Sequence, residues 1–191
     1  MFIRLLQIKD IFTISRMYLS LSKEDRRFFH PFAFRWWIIV PVFALFWLGP
    51  VAGKFIRIIF PRAAFLSSVA IDTATHEYAG FAYVQMRKKC SDNKYTATLG
   101  IVVSDKYKNK GVGSHLMTRL INRAYENGVD KIVLTVFADN KPAIRLYQKH
   151  GFALINTVNN GEFWGGGFYP NHEMELILNK DGDVKNENLS Y

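Results

Sequence analysis

The chain is short of cysteine, of acidic residues and of any segment that divides it. Cys90 is the one cysteine in 191 residues. No intrachain disulfide can form, which fits a reducing compartment. No thiolate cluster is available for a metal, and His30, His76, His115 and His150 do not cluster at metal-ligand spacing, so no metal is expected. Asp and Glu total 16 against 25 Lys and Arg, a net charge of +9 with an isoelectric point near 9.7. An anionic ligand, an anionic membrane surface or a nucleic acid would suit that excess. The basic residues are spread over many segments rather than gathered in one patch interleaved with aromatics, which argues against nucleic acid. The first residues, Met1 to Asp10, have no long apolar core and no small-residue cleavage site, so no signal peptide is expected. No internal repeat recurs at a fixed period.

What the chain does hold is apolar. Hydrophobic residues make up 49% and charged residues 21%, the balance of a globular chain with a full core. Residues 36–53 carry no charge and include Trp36, Trp37 and Trp47. That length is at the threshold for a membrane span, but Pro41, Gly49, Pro50 and Gly53 argue against one straight helix. Basic flanks at Arg35, Lys54 and Arg57 give no orientation. Three readings stay open: a span, an in-plane anchor giving peripheral membrane contact, and a buried cover or homodimer contact, which is preferred. The expected organisation is one domain over residues 1–180, with a hydrophobic aromatic insert at 36–60 and a polar tail at 181–191. The expected location is the cytoplasm or the inner face of a membrane.

Phe2 to Lys9 suits a strand. Asp10 suits the cap of a helix through Ile14, Met17 and Tyr18. Ser22 to Asp25 resembles a capping box. Ala64–Thr73, Tyr78–Arg87 and Tyr95–Val103 are β-rich runs joined by polar turns, an antiparallel meander. Leu116, Met117, Leu120, Ile121, Ala124 and Tyr125 make a one-sided helical stripe, ended by Asn127-Gly128. Lys131–Phe137 reads as a buried strand reached by a crossover, hence locally parallel to its neighbour. Asn140 and Pro142 start another helix, which stops at Gly151. Phe152–Thr157 and His172–Leu178 are expected strands, Asn159–Gly161 a turn, and Trp164–Gly167 a flexible loop. The fold class is α/β: a mixed, mostly antiparallel central sheet with helices on both faces.

The stretch from Val103 to Ser114 carries the most chemistry. An apolar run leads in, a helical pattern leads out, and between them stand Lys108, Lys110, Gly111 and Gly113. Glycines admit close approach of backbone, the first helical amides lack intrahelical partners, and the helix dipole favours an anion there. A Rossmann fingerprint would need a third glycine where Leu116 stands, and a P-loop would need lysine before its Ser or Thr, where Gly113 precedes Ser114.

Two stretches together resemble the GNAT superfamily of N-acetyltransferases. One is Lys108-x-x-Gly111-x-Gly113 between a strand and a helix. The other is Asn140-x-x-Ala143-x-x-Leu146-Tyr147-x-Lys149-x-Gly151-Phe152. The family begins its first motif with Gln or Arg, where this chain has Lys108, and Asn109 stands where Gly is common. The resemblance covers roughly residues 78–178 and implies a GNAT-like acyltransferase fold. It implies direct transfer of an acetyl group from acetyl-CoA to the primary amine of a small molecule such as an amino sugar or polyamine. Protein N-terminal or lysine acetylation is the rival within the class, and a non-enzymatic membrane-surface module the rival outside it. Under the resemblance, Lys108, Asn109, Lys110, Gly111, Val112, Gly113 and Ser114 hold the pyrophosphate. Ile101, Val102 and Val103 pair with the pantetheine arm where two strands splay, and Asn140 bonds that arm. Tyr147 serves as general acid to the departing thiolate. The general base is left among Glu77, Glu162, His172 and Glu173, with Glu162 put forward because a Gly161–Gly167 loop could close over the acceptor.

Overall fold

A computed structural model describes residues 1–7, 10–28, 65–89 and 95–178. The stretch 36–53, the longer insert 36–60, Cys90 and the tail 181–191 lie outside the described residues. Among the described residues no helix is long and apolar enough to cross a membrane.

The elements are β1 (Phe2–Leu5), α1 (Asp10–Ser20), α2 (Lys23–Phe28), β2 (Phe65–Ile71), β3 (Tyr78–Lys89) and β4 (Tyr95–Val103). A 3-10 turn at Asp105–Tyr107 leads to α3 (Val112–Glu126), β5 (Lys131–Phe137), α4 (Lys141–Lys149), β6 (Ala153–Trp164) and β7 (Gly167–Ile177). Seven strands form one sheet in the order β1-β2-β3-β4-β5-β7-β6. The β2–β3–β4 meander is antiparallel, and β4–β5 is parallel, as the crossover through α3 requires.

Alternation along the strands feeds two cores. Ala82, Val84, Ala97, Leu99 and Ile132 point to one face, where Leu116, Met117, Leu120 and Ala124 of α3 cover them. Val69, Phe81, Tyr83 and Val102 point to the other, against Ile14 and Met17 of α1 and Leu21. Helices thus occupy both faces. Leu116 and Leu120 are fully buried; truncating either to Ala would cost about 2–5 kcal/mol.

Five local expectations need correction. β1 ends at Leu5 rather than Lys9. Asp10 begins α1, but its carboxylate reaches back instead of capping: it accepts from Arg4 (2.6 Å), Tyr78 (2.6 Å) and the Gln7 amide (2.6 Å). At the other end of the sheet, Asn159–Gly161 is not a turn. β6 runs through it with a bulge, the register jumping from Val158↔Asn171 to Glu162↔Tyr169. The reason lies at Gly161, where the Asn171 side chain occupies the space a Cβ would need. The expected Trp164–Gly167 loop is instead a tight hairpin, with Gly165 and Gly166 at φ of 58° and 92°, and β7 starts at Gly167 rather than His172. Two residues at positive φ suit the twist of a two-residue hairpin.

One irregularity positions the site. β4 and β5 pair only from Thr96↔Lys131 to Thr98↔Val133. Beyond those residues the strands part, and the cleft opens between them.

Candidate active site

Two cavities lie along the splay. The first, a groove of about 400 Å³, runs past the outer end of β4 and the start of α3. Ile101, Val102 and Val103 form one wall; Lys108, Asn109, Gly111, Val112, Gly113 and Ser114 form the end; Asn140, Leu146 and Lys149 close the far side. The end is shaped by backbone. Asn109 and Gly111 are left-handed, with φ of 59° and 77°, and Gly111 caps α3 with no side-chain hydrogen bond. The first amides of α3 therefore face the groove without a side-chain acceptor, which is an anion-binding arrangement. Gly113 serves packing instead. A Cβ there would sit 3.1 Å from Leu146 Cδ2 and 3.6 Å from Val103 Cγ2, so glycine lets α3, α4 and β4 converge.

Side chains tune this end. The Lys108 ammonium pairs with Asp105 (2.6 Å). Lys110 does not line the groove; its Nζ lies 5.4 Å above the Tyr107 ring. Ser114 Oγ is 2.9 Å from His150 Nε2. Burial, with Lys149 adding to it, lowers the His150 pKa below its ordinary value. Asn140 caps α4 by accepting from the Ala143 amide (3.3 Å), and it also lines the groove.

The second cavity, a chamber of about 500 Å³, lies toward the middle of the sheet. Gln85, Thr98, Thr135, Glu162, Asn171 and Glu173 supply its polar lining, and among the described residues no Lys or Arg lines it. Ile101 and Tyr147 are common to both cavities. Tyr147, on α4, is 7% exposed and packs on Phe152 with ring centroids 5.7 Å apart. Burial, with the nearby Tyr83 phenol adding to it, pushes the Tyr147 pKa far up. Burial also raises Tyr83 to about 12. Both phenols stay protonated at any physiological pH and keep a proton to donate.

The candidate bases separate clearly. Glu162 and Glu173 line the chamber. Glu77 is held at the β2–β3 turn by Lys106 and Tyr107 (2.9 Å) and lines neither cavity. His172, one residue from Glu173, takes the opposite face of β7, where Nδ1 meets Thr157 Oγ1 at 2.9 Å.

Sequence reasoning missed three contributors. Tyr83 looks like any alternating strand aromatic; its signal was Gly100, which faces it across the β3–β4 ladder. Asn171 gave no signal until Gly161 was placed beside it. Arg27 gave none: its guanidinium lies 5.0 Å and 4.6 Å from the Phe137 and Tyr169 ring centroids and pairs with Asp139. It thereby ties α2 to the loop before Asn140.

The family model described as "Acetyltransferase (GNAT) family" matches residues 36–152. That is more than half of the 191-residue chain, and the chain belongs to this family. It is 42% identical over 87 residues to the L-amino acid N-acetyltransferase AaaT of Escherichia coli (strain K12), a match over 42% of this chain and 51% of that protein. The chain thus spans about half the length of this curated relative. In fold it resembles the GNAT-family acetyltransferase of Streptococcus pneumoniae, with TM-score 0.66 and 21% identity over 93% of this chain and 99% of the other. It also resembles a GNAT superfamily phosphinothricin acetyltransferase from Sinorhizobium meliloti in complex with AcCoA, with TM-score 0.55 and 19% identity over 68% and 70% of the two chains.

Proposed function

We propose that this family member is an acetyl-CoA-dependent N-acetyltransferase acting on the primary amine of a small molecule. The observation that carries the reading is the meeting of two cavities at Ile101 and Tyr147. One has the chemistry for a phosphorylated donor, the other for an amine.

The donor fits the residues present. The α3 amides, framed by Gly111 and Gly113, suit a pyrophosphate. The outer half of β4 has no β5 partner beyond Thr98, so its backbone is available to an amide-bearing arm as to an added strand. Asn140, at the groove wall, suits the same arm. Acetyl-CoA supplies the activated acetyl thioester when bound.

The reaction then follows from charge and position. Glu162 takes the proton an ammonium must lose and passes it to solvent. The freed nitrogen attacks the thioester carbonyl, and a C–N bond forms as the C–S bond breaks. Tyr147 gives its phenolic proton to the departing sulfur and is restored by the second proton leaving the nitrogen. The products are an amide and a thiol, with one proton released. A thiolate left unprotonated in a buried site is costly, which is why an acid at the partition matters.

The test is turnover of acetyl-CoA with a panel of small amines, monitored as released thiol. Thiol release above hydrolysis is expected for at least one amine. Absence of both release and cofactor binding would overturn the reading.

A further inference from the structure

The donor groove takes a polyanion, yet an acid stands in its wall. Among the described residues Asp139 is the only carboxylate that lines the groove, beside two ammonium groups, Lys108 and Lys149. Lys108 is engaged by Asp105 (2.6 Å). A carboxylate in the wall opposes each phosphate that enters. The charge that answers Asp139 comes from outside the groove. Its carboxylate pairs with the guanidinium of Arg27 on α2, and Arg27 lines neither cavity.

The guanidinium is fixed in place. It lies over the Phe137 and Tyr169 rings, which meet edge to face with centroids 6.2 Å apart. The Arg27 side chain is only 15% exposed, so solvent ions screen it less than a surface charge, and it stays charged at any physiological pH. The loop bearing Asp139 takes its shape from other bonds. The Ala138 amide donates to the Pro170 carbonyl (3.0 Å), the Asn140 amide to the Phe137 carbonyl (3.0 Å), and the Lys141 amide to the Asp139 carbonyl (2.9 Å). Backbone thus places Asp139 and Asn140, and what Arg27 adds at the groove is charge.

Resting on the acetyl-CoA reading of this groove, we propose that Arg27 is a positioning residue for the donor: acting through Asp139, it holds and neutralises the one acid in the described wall, so that donor affinity depends on a side chain of α2 outside the groove.

Calorimetry of the full chain with acetyl-CoA tests this without requiring turnover. Arg27→Gln leaves the Asp139 charge unanswered. The dissociation constant is expected to rise about fivefold near an ionic strength of about 0.01 M, and less near about 0.15 M, where the screening length falls from about 30 Å to about 8 Å. Arg27→Lys, which keeps the charge, is expected to recover most of that loss. Asp139→Asn is expected to act in the opposite sense and tighten binding, again most at low salt, because Arg27 is then unopposed. The double variant Arg27→Gln, Asp139→Asn is expected to return close to wild type. A purely mechanical tie between α2 and the loop would weaken binding in both single variants and in the double, and that pattern overturns the proposal. So does an unchanged affinity in Arg27→Gln. Should Arg27→Gln fail to fold, the sign of the Asp139→Asn effect is sufficient: weaker or unchanged binding overturns the proposal. A wild-type chain without affinity for acetyl-CoA overturns it together with the donor site. Thiol release with the amine panel is recorded in parallel. The expected pattern of affinities with no release leaves this inference standing and removes the acetyl-transfer reading; release without that pattern does the reverse.

Discussion

Gly100 and Tyr83 face each other across the β3–β4 ladder, and the Tyr83 ring occupies the place where a Gly100 side chain would lie. Glycine here is a matter of space. It brings a second phenol to the chamber beside Tyr147, and the ring stacks on Phe81 at 5.9 Å.

Gly100→Ala should therefore act through Tyr83. The ring must leave the chamber wall, and kcat/KM for the acceptor should fall roughly tenfold, as expected when a positioned group is misplaced by about 1 Å. The dissociation constant for acetyl-CoA should change little, because the groove lies beyond Ile101. Paired steady-state kinetics and calorimetry would check this; equal losses on both ligands would place the effect in the fold.

Tyr147→Phe removes the acid and keeps the ring packed on Phe152. Turnover should drop about 10²-fold or more, with acetyl-CoA affinity within about twofold by calorimetry, since the pyrophosphate contacts are backbone. The pH profile offers a second reading. Burial raises the Tyr147 and Tyr83 phenols above their ordinary value. A phenol acts as acid only while protonated, so no alkaline loss of kcat from either is expected below about pH 10, the ordinary phenol value.

Gly111→Ala tests the groove's end. At φ of 77° an L side chain is strained by about 1–2 kcal/mol. Relief by a backbone shift would turn the α3 amides away. The KM for acetyl-CoA should rise several-fold to tenfold while kcat at saturation changes little. Titration with desulfo-CoA would follow the same loss without turnover.

Asp10 sets an acid limit on stability. Its side chain is fully buried; burial pushes the carboxyl up, but the hydrogen bonds from Arg4, Tyr78 and the Gln7 amide outweigh it and hold it down to about 2. A depressed carboxyl stabilises the fold above its unfolded value, and that stability is lost as pH falls through the folded value. About 2 kcal/mol should disappear between roughly pH 4 and pH 2. Chemical denaturation of wild type and Asp10→Asn across that range should show the difference narrowing as pH falls.

The legible parts of this chain were those whose cause is local. β4 and β5 were bounded correctly, because each is a β-rich run closed by polar turn residues. The glycines before α3 and the Asn140 cap announced themselves, because a left-handed residue and an N-cap restrict residue type in place. The illegible parts were long-range. Asn159-Asn-Gly161 has the composition of a turn, and only the Asn171 side chain, ten residues on, makes it a bulge. Asp10 has the composition of a cap, and only Arg4 and Tyr78 draw its carboxylate away. Arg27 would have needed Phe137, Asp139 and Tyr169 brought together in advance.

Ile101 and Tyr147 form a party wall. A molecule on either side of it presents its own surface to the room next door. An occupied groove thus finishes the chamber, and an occupied chamber finishes the groove. Such dependence is reciprocal in free energy whichever ligand arrives first: the factor by which the donor tightens the acceptor is the factor by which the acceptor tightens the donor.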